Sequence, residues 1–333
     1  MATMNRQVLL ARRPQGAVTE DDFRMVDVPI GAPGEGQVLV KNEWLSLDPY
    51  MRGRMNDVKS YVPSVQLGEV MVGQTVGEVV ESRDARFARG DKVLAPSGWQ
   101  LYGVIEGDDL AKVDTRRAPA SSYLGVLGMP GFTAWFGLRE IGKPKPGETV
   151  VVSAASGAVG SVVGQLAKLH GCRAVGIAGG AAKCDYVVSE LGFDACVDHK
   201  RGSLHDDLRA ACPKGVDVNF ENVGGPVLDT TLALMNRFSR VIICGLVAEY
   251  SATEPYAYRR LRSVLVNRIH MQGMIVFDWK DRYGEALDGL AGHFTAGKLR
   301  YRESVVEGID NAPKGLIALL RGENFGKQLV RLA

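Results

Sequence analysis

Ala155, Gly157 and Gly160 stand at the spacing of a phosphate-cradling turn, G-x-G-x-x-G, with alanine in the first place. Gly157 would let the backbone approach a pyrophosphate, and Gly160 would let a helix pack close against a strand. Free N–H groups at the helix start would then hold the anion. A glycine pattern of this kind also occurs in ordinary helix-packing turns, so its setting matters. Thr149, Val150, Val151 and Val152 form a short apolar, β-branched run before the turn. Val162, Val163, Leu166, Ala167 and Leu169 follow it near helical spacing, and a second strand over Arg173 to Ile177 comes at the right distance. Strand, tight turn, helix and strand in that order point to a dinucleotide.

The end of the second strand says which one. A site for NAD commonly has an acid about 20 residues past the glycines to bond the ribose 2′-hydroxyl. Here Gly179, Gly180, Ala181 and Ala182 stand in that region, followed by Lys183. Small residues leave room for a 2′-phosphate and a lysine neutralises it, so the pattern points to NADP(H). The plainer alternative is that Lys183 is a solvated residue of the next helix.

The elements that must position this turn fit a two-domain chain. The 333 residues are 46% hydrophobic and 23% charged, ordinary for a globular protein, and the net charge of +2 is too small to imply nucleic acid or an anionic membrane as partner. No apolar run reaches the length of a membrane span, and the N-terminal stretch MATMNRQVLLARRPQG has no long apolar core, so a cytoplasmic location is expected. The five cysteines, Cys172, Cys184, Cys196, Cys212 and Cys244, form no C-x-x-C pair and read as buried small side chains. Residues 1–169 contain neither Cys nor His, which removes a catalytic zinc built from N-terminal ligands; no metal is expected.

Residues 1–122 read as an all-β, barrel-like domain, with apolar runs at Gln7 to Leu10, Gln37 to Trp44, Val76 to Ser82 and Lys92 to Ala95 between Gly- and Pro-rich turns. Within it SLDPYMRGRM, Ser46 to Met55, has an Asp-Pro turn that would present Tyr50, Met51 and Arg52 on a loop. Residues 123–300 alternate strand and helix from Thr149 onward, with strands near 149–154, 173–177, 195–198, 216–221 and 240–244, then a polar insert, Ala248 to Arg262. A further strand is expected over His270 to Phe277 and a helix over Asp281 to Ala296. Such alternation means right-handed crossovers and a parallel sheet covered on both faces. Residues 301–333 are expected to return to the first domain.

The phrases SLDPYMRGRM, GEVMVGQTVGEVVES, GVLGMPGFTAWFGL, SAASGAVGSVVGQLAKLHGC, FENVGG, CGLV and GENFGK, in that order, resemble the zinc-free medium-chain reductases. That family includes prostaglandin reductase, plant alkenal double-bond reductases and bacterial NADPH-dependent curcumin reductase, and the similarity covers nearly the whole chain. The resemblance implies an α/β fold, a Rossmann doubly wound parallel sheet plus a GroES-like β-barrel domain, and usually a homodimer. Matched by motif, Gly157, Ala158, Val159 and Gly160 would touch the pyrophosphate and Lys183 the 2′-phosphate. Asn222 and the turn of Cys244, Gly245 and Leu246 would lie along the cofactor. Met129, Pro130 and Thr133 would stand near the nicotinamide, Ile275, Val276 and Phe277 along its rim, and Asn324 would reach the cofactor site. His199 replaces a tyrosine of the animal members and is either a 2′-phosphate donor or a strand-end surface residue.

The implied activity is NADPH-dependent reduction of a C=C bond conjugated to a carbonyl. It needs hydride at the β-carbon, hydrogen bonds to the resulting enolate and a proton at the α-carbon. Tyr250, beyond the carboxyl end of a parallel strand, is the first candidate donor. Tyr50 is the second, lining the substrate pocket, and Arg52 either orients a polar substrate or pairs with a carboxylate. A quinone reductase of the same fold, or a nucleotide-binding protein without catalysis, would carry much the same motifs.

Overall fold

The computed structural model describes residues 4–332. In chain order the first elements are β1 (Met4–Leu10), β2 (Phe23–Pro29), β3 (Gln37–Ser46), α1 (Tyr50–Arg54), β4 (Thr75–Ser82), β5 (Lys92–Ala95), β6 (Tyr102–Glu106) and β7 (Ala111–Lys112). There follow α2 (Met129–Phe136), β8 (Thr149–Ser153), α3 (Gly160–Leu169), β9 (Arg173–Ala178), α4 (Ala181–Ser189), β10 (Ala195–Asp198) and α5 (Leu204–Ala211). Next come β11 (Val216–Glu221), α6 (Gly225–Leu232), β12 (Met235–Ile243), α7 (Arg262–Asn267), β13 (His270–Gly273) and α8 (Tyr283–Thr295). The chain closes with β14 (Glu303–Glu307), α9 (Ala312–Leu320) and β15 (Lys327–Arg331). One compact unit comprises residues up to Leu124 together with Glu303 onward; the other is Gly125–Arg302.

In the second unit all the pairings are parallel and the sheet order is β10-β9-β8-β11-β12-β13. Every residue of β8 is buried, which is why its sequence is continuously apolar rather than alternating. Strand order reverses between β8 and β11, and in open sheets of this kind ligands bind beyond the carboxyl ends at that reversal. Two expectations need correction. The strand from His270 stops at Gly273, and Val276–Arg282 coils into 3₁₀ turns in which Trp279 stacks on Phe136 with centroids 5.7 Å apart. Strand β12 begins at Met235, earlier than the apolar run at 240–244 suggested, because α6 ends at Leu232.

In the first unit a sheet of order β14-β15-β3-β4-β5-β7, with β6 also on β3, takes the chain's last strand against β3. Its core gathers Leu45, Leu47, Met51, Met55, Met71 and Trp99. The Asp-Pro turn leads straight into α1 instead of an open loop: Pro49 has helical dihedrals (φ −60°, ψ −28°), and Met51 is fully buried. Behind it Lys327, 3% exposed, donates to Asp48 Oδ1 (2.6 Å) and to the Leu47 carbonyl (2.8 Å), while Ser46 Oγ also bonds the Asp48 carboxylate. Burial lowers the pKa of Lys327, and the Asp48 charge opposes that shift. Removing one partner of a buried pair leaves an uncompensated charge, so Lys327→Met should cost about 3–5 kcal/mol in urea unfolding. Asp48→Asn combined with Lys327→Met should recover much of that loss; additive losses would mean the two do not act as a pair.

Candidate active site

The turn after β8 is strained where it leaves the strand. Ala154 has φ +50°, a left-handed conformation that non-glycine residues rarely adopt. Its carbonyl accepts from Gly157 N (2.9 Å) and lies where a Cβ on Gly160 would be, so position 160 admits only glycine. Ala155, by contrast, is fully buried with its methyl facing Gly176 of β9: the glycine missing from the turn is supplied by the neighbouring strand. Helix α3 starts without a side-chain cap; Ser161 N donates to the Gly157 carbonyl (3.0 Å), and Val162 N and Val163 N donate to the Val159 carbonyl (3.1 and 3.0 Å).

The turns at the carboxyl ends of β8, β11 and β12 are fastened together by Glu221, at the end of β11, which has no solvent exposure. Its Oε1 accepts from Ser153 Oγ (2.7 Å), Val223 N (2.7 Å) and Gly224 N (2.9 Å), and its Oε2 from Asn219 Nδ2 (3.1 Å). Its backbone carbonyl accepts from Cys244 N (2.9 Å) and Gly245 N (3.1 Å). Burial raises the carboxyl's pKa and these donors oppose the shift. Asn222 N donates to Ser153 Oγ (2.7 Å) and Asn222 Nδ2 to the Ser153 carbonyl (2.8 Å). Burial pushes the Cys244 thiol up to about 12, so it is no nucleophile at neutral pH. The Tyr250 hydroxyl stands at the same turn and accepts from Leu246 N at 3.4 Å.

At the end of β9, Gly179 lies beneath the His199 ring and the Lys200 stem: a Cβ there would come within 2.9 Å of His199 Nε2 and 3.0 Å of Lys200 Cε. Burial lowers the pKa of Lys183, with Lys200 adding to the effect, and burial followed by Lys200 does the same to His199. The nearby acid, Asp198, is turned into the backbone, accepting from Gly180 N (2.7 Å) and Lys200 N (3.0 Å). A corner of basic side chains in which burial, with Lys200 adding to it, opposes protonation of Lys183 and His199 is suited to a phosphate. Neither Glu221 nor Lys200 was singled out from the sequence. Lys200 directly follows His199 and could have been found by extending the same charge argument one residue; nothing in the sequence marked Glu221.

Other candidates are occupied locally. Thr133 Oγ1 bonds the Met129 carbonyl one turn back (2.8 Å), Val276 is buried, and Phe277 is exposed. In the other unit, Asn324 donates to the Gly326 carbonyl of its own loop (2.8 Å). Arg52, 3% exposed, donates to the carbonyls of Gly16 (2.9 Å) and Pro14 (3.4 Å) and to Asn56 Oδ1 (2.6 Å), partners other than the carboxylate considered above. Burial raises the pKa of Tyr50, with Asp48 adding to it. Among the described residues no group of three or more His, Cys, Asp or Glu could hold a metal ion, and no helix is long and apolar enough to cross a membrane.

Residues 6–113 match the family model described as the N-terminal domain of oxidoreductase, and residues 158–292 the one described as zinc-binding dehydrogenase. The NADPH-dependent curcumin reductase of Escherichia coli is 50% identical over 99% of this chain and 97% of its own length. The NADP(+)-dependent 2-alkenal reductase of Nicotiana tabacum is 41% identical over 99% of this chain and 98% of its own. The crystal structure of CurA from Vibrio vulnificus in complex with NADPH superposes with a TM-score of 0.94 at 46% identity, covering 98% of this chain and 99% of that one. With likeness along the whole length, and with one unit built on a parallel sheet and the other on β-structure, the chain belongs to the zinc-independent medium-chain dehydrogenases/reductases.

Proposed function

We propose that this chain is an NADPH-dependent reductase of the C=C bond of α,β-unsaturated ketones and aldehydes. The observation that carries the reading is the Tyr250 hydroxyl at the Gly245–Leu246 turn, beyond the carboxyl end of β12. Relatives named for reducing curcumin and alkenals, alike along their full lengths, support it. When bound, the reduced nicotinamide supplies a hydride. The chain's residues do the rest: the uncapped start of α3 and Gly157 to Gly160 hold the pyrophosphate, while Lys183, His199 and Lys200 hold the 2′-phosphate. Tyr250 donates to the carbonyl oxygen on which negative charge develops, and Tyr50 orients the substrate.

The enzyme is a homodimer in this reading. Strand β13 is a sheet edge, and near it Phe238, Leu261, Leu265 and Val266 are exposed, Leu265 at 78%. An edge strand with apolar surroundings is a template for pairing with a second copy. Five cysteines kept as free thiols suit the reducing cytoplasm.

Tyr250→Phe should lower kcat for an enone by about 10²-fold while the NADPH Kd stays within about twofold, since one donor to a developing oxyanion is lost. Equal losses in both would assign Tyr250 to structure, and a panel with a benzoquinone and with NADH tests the substrate and cofactor classes. A second expectation concerns pH. In the free protein burial, with Lys200 adding to it, lowers the His199 pKa from its ordinary value and favours the neutral ring, whereas a dianionic phosphate beside it favours the imidazolium. The bound form thus carries the extra proton, so the NADPH Kd should rise as pH rises from about 6.5 to 8, by less than tenfold per unit. Titrations of His199→Gln, and of the wild type with NADH, should be flat over that range. For the dimer, sedimentation should give a monomer for Leu265→Glu and twice that mass for the wild type; a monomeric wild type refutes the dimer.

A further inference from the structure

The segment between β12 and α7 is tied to the first turns of α6 at both ends. Near its start, Glu249 Oε1 accepts from Gly225 N (3.1 Å) and from the Tyr258 hydroxyl. Near its end, the Tyr258 oxygen accepts from Gly225 N (3.0 Å), and Asp229 Oδ1 on α6 accepts from Arg259 N (3.0 Å) and Arg260 N (2.8 Å). Tyr256 packs edge-on against the Tyr258 ring, centroids 4.9 Å apart. Residues 250–257 are therefore a loop whose neck is closed by a hydroxyl–carboxylate bond between positions nine apart.

Tyr250 is the first residue beyond that neck. Its hydroxyl accepts from Leu246 N at 3.4 Å. A hydrogen bond to a charged acceptor is about twice as strong as a neutral one, and restraining a short loop at its base removes most of its freedom. We propose that Glu249 and Tyr258 form a latch that positions Tyr250, so that they contribute to enone reduction through it. The latch rests on the reading of Tyr250 as the donor. Burial, reinforced by the Glu249 carboxylate, pushes the Tyr258 pKa up to about 12, so the latch keeps its proton throughout the working range.

The experiment compares Tyr258→Phe, Glu249→Ala and Glu249→Gln, alone and on the Tyr250→Phe background. The readouts are kcat for an enone, NADPH Kd, and amide hydrogen exchange of residues 250–257 in the cofactor-free enzyme. Tyr258→Phe and Glu249→Ala should each lower kcat about tenfold, leave Kd within about twofold and speed exchange of the loop. Glu249→Gln, which keeps the acceptor oxygen, should rescue most of the loss, and none of the three should lower kcat further once Tyr250 is phenylalanine. Full additive losses on that background, or unchanged exchange, would overturn the latch while leaving the donor reading intact. A Tyr250→Phe enzyme with wild-type kcat would remove the donor reading itself, and the latch's role with it.

Discussion

A carboxylate with no solvent exposure is tolerable only if the protein supplies the donors that water would have supplied. Glu221 meets that demand with one hydroxyl, one side-chain amide and two backbone N–H groups, drawn from β8, β11 and the turn after β11. Because its backbone carbonyl also takes Cys244 N and Gly245 N, the ends of β8, β11 and β12 cannot move independently around it. Those are the strand ends that flank the reversal of sheet order, where the glycine turn after β8 and Tyr250 are carried. Desolvation raises the Glu221 pKa, and losing any one of these donors would leave the buried carboxyl under-solvated.

The cation corner works in the opposite sense. Lys183, His199 and Lys200 stand at one corner, and the nearby Asp198 accepts from Gly180 N and Lys200 N, bonds that hold its carboxyl below the usual carboxylate range. Burial, with Lys200 adding to it, makes both Lys183 and His199 harder to protonate, an effect that a 2′-phosphate bound there would oppose. In the proposed function a cofactor without that phosphate would gain nothing from the corner, which would favour NADP(H) over NAD(H).

Much of this was legible in the chain because it is local. A β-branched run, a glycine turn and a helical stripe lie within a few residues of one another, and four repetitions of strand and helix leave little choice of topology. The alanine in the first glycine position was also legible as a departure, but its compensation by Gly176 required knowing that β8 and β9 pair. What was not legible depends on contacts distant in sequence: Ser153 meets Glu221 across 68 positions, and Lys327 meets Asp48 across 279. The strand expected to run to Phe277 failed for a related reason, since the apolar run MIVF serves the packing of Met274 and Val276 and not a longer ladder.

The same distinction limits what SLDPYMRGRM can contribute. Read alone, the stretch offers a carboxylate, a phenol and a guanidinium side by side, a set that could run acid–base chemistry. Folded, Asp48 is engaged by Lys327 and Ser46, and Arg52 by the turn at Pro14 and Gly16, so both charges are spent holding the chain in place. Of the three, Tyr50 keeps partial exposure, and burial with the adjacent Asp48 charge raises its pKa. A phenol in that condition stays protonated at any working pH and can donate a hydrogen bond, but it cannot serve as a base. In the proposed function Tyr50 therefore contributes a donated hydrogen bond and not a base.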